Sequence, residues 1–281
     1  MQSLSSPLQI LRSYGIEPRR SRGQNFLIDR NIIRKIIEKA DLKKTDTVVE
    51  IGAGIGALTR ELANRVKKVF AVEIDEKLIE VLQNGSLIGS GMTIGNIEII
   101  RADARTLPNA TFTKKEGSYR VIANIPYNLT SLLIRKFLEE SPRPSDMILM
   151  IQKEVGKRIC AHAGEMSILS SMVQYYAVPK ILFPVSKTCF FPAPKVNSVC
   201  ISLALKKDRI PASQHAKEFT HFVKAGFSAK RKLLSRNLSH GLKIPVEDIK
   251  KGFFAAQIPL NARAQELSVD DWISLCYYIN N

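Results

Sequence analysis

Cysteine and histidine are scarce and scattered in this 281-residue chain. The four cysteines (Cys160, Cys189, Cys200, Cys276) include no Cys-x-x-Cys pair, and the four histidines are equally dispersed. This pattern argues against a disulfide framework and against a metal site, and suits reduced cysteines in a cytoplasmic protein. Long apolar runs are missing too: nothing approaches the roughly 20 residues that a bilayer-spanning helix needs. Met1 to Gly15 has no continuous apolar centre, which argues against a secretory signal. No internal repeat and no long apolar seam is visible, so a monomer is expected. Acids are also in deficit. The 26 Asp and Glu face 42 Lys and Arg, a formal charge of +16, and such an excess attracts polyanions and speeds encounter with them. A membrane surface is a poorer match, because no basic amphipathic helix accompanies a lipidation signal.

Apolar residues make up 45% of the chain, enough for one large core or a core with a small satellite. Residues 1–22 read as a mobile basic arm ending in Arg19-Arg20-Ser21-Arg22. Gly23-Gln24-Asn25-Phe26-Leu27-Ile28-Asp29 then turns into a helix with Asp29 as N-cap. Thr47 to Ile51 reads as a strand opening onto Gly52-Ala53-Gly54-Ile55-Gly56, with a helix from Ala57 to Val66. Strand, glycine turn and helix make a nucleotide-binding device, since glycines let the backbone approach a ligand. The Gly-x-Gly-x-Gly spacing is tighter than that of dinucleotide proteins. It suits a ligand without a pyrophosphate, such as S-adenosylmethionine. Glu73 ends the next strand, 21 residues after Gly52, where an acid can accept both ribose hydroxyls. Asp75 reads as a helix cap. Asp103 follows a third strand (97–101), and is placed either to accept from an adenine amine or to cap a turn.

Asn124-Ile125-Pro126-Tyr127 leaves a fourth apolar strand and enters a helical segment, so an amide, a fixed turn and a ring meet at one strand exit. A strand over 147–151, a helix over 166–177 and strands near 180–185 and 196–205 complete a doubly wound α/β domain, residues 23–206. Between the last two strands, Phe190-Phe191-Pro192-Ala193-Pro194-Lys195 holds an aromatic pair, expected to be exposed, in an extended loop. From residue 207 the pattern becomes helical. Phe219, Phe222, Val223 and Phe227 share one face, and Lys230, Arg231, Lys232 and Arg236 form a basic stretch expected to be helical. Residues 207–281 carry 12 Lys and Arg against 7 Asp and Glu, a small basic helical domain. Candidate polyanion contacts, RNA contacts under the resemblance given below, are Arg19, Arg20, Arg22, Lys195, Lys230, Arg231, Lys232 and Arg236.

A donor site and a target site thus share one sheet edge. A purine's exocyclic amine is a poor nucleophile because its lone pair is delocalised into the ring. Two acceptors, the Asn124 side-chain carbonyl and the Ile125 backbone carbonyl, would draw that nitrogen toward tetrahedral geometry and aim the lone pair at a methyl donor. This is catalysis by positioning and fixed dipoles, with no strong base required. Tyr127 would stack on the base, worth about 1–3 kcal/mol, once a paired base had been flipped out.

Gly23 to Leu27, Glu50 to Gly56, Glu73-Ile74-Asp75, Asp103, Asn124 to Tyr127, Phe190 to Ser198 and Arg263 to Ser268 stand in an order that resembles the KsgA-type ribosomal RNA adenine dimethyltransferases. The likeness spans roughly residues 8–279, with Ile125 replacing a leucine common in that family. It implies a Rossmann-like class I methyltransferase sheet and S-adenosylmethionine bound by Gln24, Asn25, Leu27, Gly52, Gly54, Gly56, Glu73, Asp103 and Asn124. It implies that Phe190 clamps the target base opposite Tyr127. It further implies N6-dimethylation of two adjacent adenosines near the 3′ end of small-subunit ribosomal RNA, within a pre-30S particle. Large-subunit RNA methylation, DNA adenine methylation and a non-catalytic assembly role are the neighbouring alternatives.

Overall fold

The computed structural model describes residues 7–19, 23–84, 94–208 and 214–280. The N-terminal part carries α1 (Pro7–Ser13), the two-residue strand β1 (Phe26–Leu27) and α2 (Arg30–Ala40). Next come β2 (Thr47–Ile51), α3 (Ala57–Ala63), β3 (Lys68–Glu73), α4 (Glu76–Asn84) and β4 (Ile97–Arg101). The chain continues through β5 (Arg120–Asn124), α5 (Thr130–Glu139), β6 (Asp146–Gln152) and α6 (Lys153–Ile159). After α7 (Ile168–Tyr176), β7 (Ala177–Val185), β8 (Phe190–Phe191) and β9 (Ser198–Leu205) come four helices: α8 (Gln214–Gly226), α9 (Leu234–Leu242), α10 (Val246–Ala255) and α11 (Val269–Asn280).

The central strands are short β-branched runs, and parallel strands covered on both faces require that composition. Val48, Val49, Val69, Val121 and Ile122 are fully buried, each contributing about 1.5–3 kcal/mol relative to exposure. The seven-stranded sheet has the order β4-β3-β2-β5-β6-β9-β7. β2 pairs in parallel with both β3 and β5, and β6 pairs in parallel with β5 and antiparallel with β9. The chain moves outward from β2 to β4 on one side and then restarts at β5 on the other. The crevice at the carboxyl ends of β2 and β5 is therefore the topological switch point, where open α/β sheets bind ligands.

The opposite edge is closed by its own charges. Arg120 donates from Nε and Nη2 to Asp146 at 2.7 and 2.8 Å, and from Nη1 to Asp46 at 3.2 Å. Helices flank the sheet as the sequence predicts, with Asp29 capping α2 through the amides of Asn31 and Ile32. Two differences stand out in this part. Within the segment expected as a mobile arm, Pro7–Ser13 folds as α1, because Ile10 and Leu11 bury against Phe26, Ile55, Leu78 and Val81. A ribbon of two residues per strand, β1 against β8, sets Leu27 opposite Phe190 and Phe26 opposite Phe191.

The described residues divide into two compact units: 1–156 with 180–205, and 157–179 with 206–281. The second unit thus includes α7, a segment that the strand pattern assigned to the sheet domain. Its core holds Phe219, Phe222, Phe253 and Trp272, with Phe227 stacked on Trp272 at 5.4 Å and Tyr175 on Phe219 at 4.2 Å. Lys230, Arg231 and Lys232 lie in a turn between α8 and α9, not in a helix. Asn237 fixes that turn by donating to the carbonyls of Gly226 and Ala229 at 2.8 and 2.9 Å. The first bond satisfies the carbonyl of α8's last residue and the second holds the turn beyond it, so the helix ends before the basic residues. Among the described residues no helix is long and apolar enough to cross a membrane.

Candidate functional site

A cavity of about 350 Å³ opens at the switch point, walled by the exits of β2, β3, β4 and β5 and by residues 23–27. Its floor is the glycine turn, held by Gly52 and Ala53 amides donating to the Val72 carbonyl at 2.9 and 3.2 Å. Gly54 has φ +59°, and a Cβ there would sit 3.3 Å from the Phe26 ring. Any larger residue would meet both strain and that ring.

Glu73 is buried, and its carboxylate accepts from the amides of Gly54, Ile74 and Asp75 at 2.9, 2.8 and 2.9 Å. Burial nevertheless raises its pKa. A carboxylate offers about four acceptor positions, so with three in use Glu73 has room for about one more donor in this structure. The expectation that it takes both ribose hydroxyls needs one of the amides to let go. Asp103 is clasped by Arg105, whose Nε and Nη2 donate to Oδ2 at 2.9 and 2.6 Å. The Arg105 hydrogen bond holds the Asp103 carboxyl below its usual range. Both line the cavity.

At the exit of β5, Asn124 donates its amide NH2 to the Asn25 carbonyl at 3.0 Å. That bond orients the side chain and leaves its oxygen as the free acceptor. The Ile125 amide donates to Met150 at 3.3 Å, and Leu129 donates to the Pro126 carbonyl at 2.9 Å, closing a single tight turn over Tyr127 to Leu129. The Tyr127 hydroxyl lies 2.5 Å from the Ser198 hydroxyl, so the ring is tethered by its far end. Gln24 lines the cavity and bridges Asp75 at 3.4 Å and the Arg19 amide at 2.7 Å. Asn25, Leu27, Gly52 and Gly54 line it as well.

Two expected site residues are placed elsewhere. Gly56, at φ +77°, starts α3 and is absent from the cavity wall. Phe190 is 3% exposed, packed with Leu27, Ile33, Ile36 and Ile37, and is likewise absent from the cavity wall. The expected exposed pair is therefore one exposed ring, Phe191, and one core ring. Strand alternation explains it: in a two-residue strand, successive side chains point to opposite faces. Among the candidate RNA contacts, Lys195, Lys230, Arg231, Lys232 and Arg236 are exposed. Arg19 lies 3.6 Å from Asp75, and Arg20 and Arg22 fall outside the described residues.

The sequence reading gave no role to Glu50, Arg105 or Ser198. Glu50 lines the cavity with 3% exposure, and its Oε2 has no hydrogen-bond partner. Burial pushes its carboxyl up to about 8, with the charge of Glu73 adding to the effect. An acid inside an apolar strand just before a glycine turn was the available signal. For Ser198 no local signal exists, because its partner lies 71 residues away.

A family model described as ribosomal RNA adenine dimethylase matches residues 16–281. Ribosomal RNA small subunit methyltransferase A of Dehalococcoides mccartyi (strain CBDB1) is 35% identical over 268 residues, 95% of this chain and 90% of that protein. Two solved structures superpose closely. A dimethyladenosine transferase from Plasmodium falciparum is 27% identical at TM-score 0.72, covering 88% of this chain and 94% of the other. The 23S rRNA methyltransferase ErmE is 25% identical at TM-score 0.73, covering 92% of this chain and 100% of its own.

Proposed function

The chain belongs to the ribosomal RNA adenine dimethylase family, and from that premise we propose that it transfers methyl groups from S-adenosylmethionine to N6 of two adjacent adenosines in the 3′-terminal hairpin of small-subunit ribosomal RNA, two methyls on each. The observation that carries the acceptor chemistry is the Asn124–Asn25 hydrogen bond. It fixes the amide so that its oxygen, and not its NH2, is available to an exocyclic amine.

The cavity fits the donor. Gly54 supplies a floor without side chains, Glu73 and Asp103 supply carboxylates, and Glu50, whose Oε2 is buried and unpartnered, lines the same space. Bound there, S-adenosylmethionine supplies an electrophilic methyl on a sulfonium. Gln24, Asn25, Leu27, Gly52, Gly54, Glu73 and Asp103 hold and orient the donor. The Asn124 oxygen and the Ile125 carbonyl accept from the target amine and localise its lone pair. Pro126 sets the direction of the Ile125 carbonyl, the Asn25 bond sets that of the Asn124 oxygen, and Tyr127, anchored on Ser198, offers a ring face to the base. These groups act by fixed position, where preorganised dipoles cost no rearrangement during the reaction. Lys195, Lys230, Arg231, Lys232 and Arg236, with Arg19, Arg20 and Arg22, are the proposed phosphate contacts. The small-subunit relatives and the +16 charge support a pre-30S particle as substrate, met by a monomer in the cytoplasm.

Methyl transfer from labelled donor to partly assembled small subunits, with large-subunit RNA and DNA as alternatives, tests this directly. The small subunit should be labelled, with the modified bases mapping to two adjacent adenosines. Asn124→Ala should abolish transfer while retaining most RNA binding. Preferential labelling of large-subunit RNA would assign the chain to the activity that names ErmE. Equal methylation by parent and Asn124→Ala would refute the acceptor mechanism.

A further inference from the structure

A second cavity, of about 250 Å³, lies away from the donor crevice between α1, α2 and α3. Its lining residues include three arginines, Arg30 and Arg34 from α2 and Arg60 from α3, against one acid, Glu61. Arg30 and Arg34 stand one helical turn apart, so both reach the same face of α2. The Nε of Arg60 is buried and has no hydrogen-bond partner. Burial depresses the Arg60 pKa against the opposing charge of Glu61, and Arg30 adds a smaller push in the same direction as burial. A buried, unpartnered guanidinium N–H is unfavourable until an acceptor reaches it, and Glu61 leaves the Arg60 Nε without one. The arginine fork matches the oxygens of a phosphate, to which it can donate two parallel hydrogen bonds.

We propose that the Arg30–Arg34–Arg60 cavity is a binding site for a backbone phosphate of the RNA substrate. The assignment to RNA rests on the functional reading above; the anion chemistry rests on the cavity alone. Ala57 lines both this cavity and the donor crevice, so the phosphate would be seated one helical turn of α3 from the glycine loop. An RNA strand gripped there is held on the methyltransferase unit itself, independently of the basic turn at Lys230 to Lys232.

The test measures affinity of the full-length protein for the small-subunit particle across a salt series, for the parent, Arg34→Glu and Arg60→Lys, with thermal midpoints recorded alongside. Arg34→Glu should weaken binding roughly 3–10-fold near physiological salt and reduce the salt slope by about 1. Arg60→Lys, which keeps the charge and loses the fork, should give a smaller loss. In parallel, the Arg60 Nε–H resonance is followed during titration with inorganic phosphate and then with substrate RNA. Phosphate should shift the resonance, and RNA should displace that phosphate. If phosphate shifts it but RNA neither competes nor loses affinity in the variants, the site takes free phosphate and the RNA assignment is overturned. Unchanged affinity, slope and resonance would overturn the site altogether. Parent protein that methylates the particle normally in either case would leave the functional reading intact. Parent protein that neither binds nor methylates it would refute that reading, and the RNA assignment with it.

Discussion

Replacing Glu50 by Gln should flatten the dependence of stability on pH. Glu50 is 3% exposed, its Oε2 is unpartnered, and its pKa is raised from 4.5 to about 8 by burial, which outweighs the opposing effect of Thr59, with a smaller contribution from Glu73. Between those values the folded protein keeps a proton that the unfolded chain releases. Stability is therefore full below about pH 4.5 and falls as pH rises toward 8. At about 1.4 kcal/mol per pH unit, the loss approaches roughly 4–5 kcal/mol by pH 8. Water entering the crevice would reduce it, so an observed loss of about 2–4 kcal/mol is expected. Gln keeps the shape and cannot ionise. Urea unfolding at several pH values, without donor, should show the variant gaining on the parent as pH rises from about 5 to 8. Parallel profiles would mean that Glu50 ionises normally in the fold and would refute the burial argument.

Other outcomes follow from single contacts. Ser198→Ala removes the tether on Tyr127, and one hydrogen bond of about 0.5–1.5 kcal/mol corresponds to a loss of roughly 2–10-fold in turnover at unchanged RNA affinity; single-turnover rates equal to the parent's would exclude it. Phe190→Ala should cost about 3–5 kcal/mol in chemical denaturation, whereas Phe191→Ala, at an exposed site, should cost under about 1 kcal/mol. Phe190→Leu, which preserves core packing, separates structure from stacking: unimpaired methylation would show that the Phe190 ring never reaches the base. Reversing Lys230, Arg231 and Lys232 to Glu should weaken particle binding and lower its salt slope by about 2–3; an unchanged slope would remove that turn from the RNA face.

The strand and turn that wall the cavity were legible because their signals are local. Five residues from Gly52 to Gly56, one acid after each following strand, and β-branched runs between them specify strand, turn and sheet edge together. The turn at Asn124 to Tyr127 was legible for the same reason. What escaped was set by residues distant in the chain. Nothing around residue 26 announces a strand, because β1 exists only through pairing with residues 190 and 191. That pairing decides which phenylalanine faces the core. The segment at Lys230 has helical composition, yet Asn237's bonds to Gly226 and Ala229 end the helix before it. The amphipathic character of Ile10 and Leu11 within a basic arm was present in the sequence, but charge dominated its appearance.

The ribbon between β1 and β8 places Leu27 and Phe190 in register across four residues of backbone. Leu27 belongs to the wall of the donor crevice, and Phe190 to the loop that leads to Ser198, the anchor of Tyr127. A ribbon this short has no strength of its own and is held by the core beneath it. Whatever draws Phe190 out of that core must also release Leu27. The crevice wall and the Tyr127 anchor are thus fastened by one seam, and opening it from either side would be felt on the other.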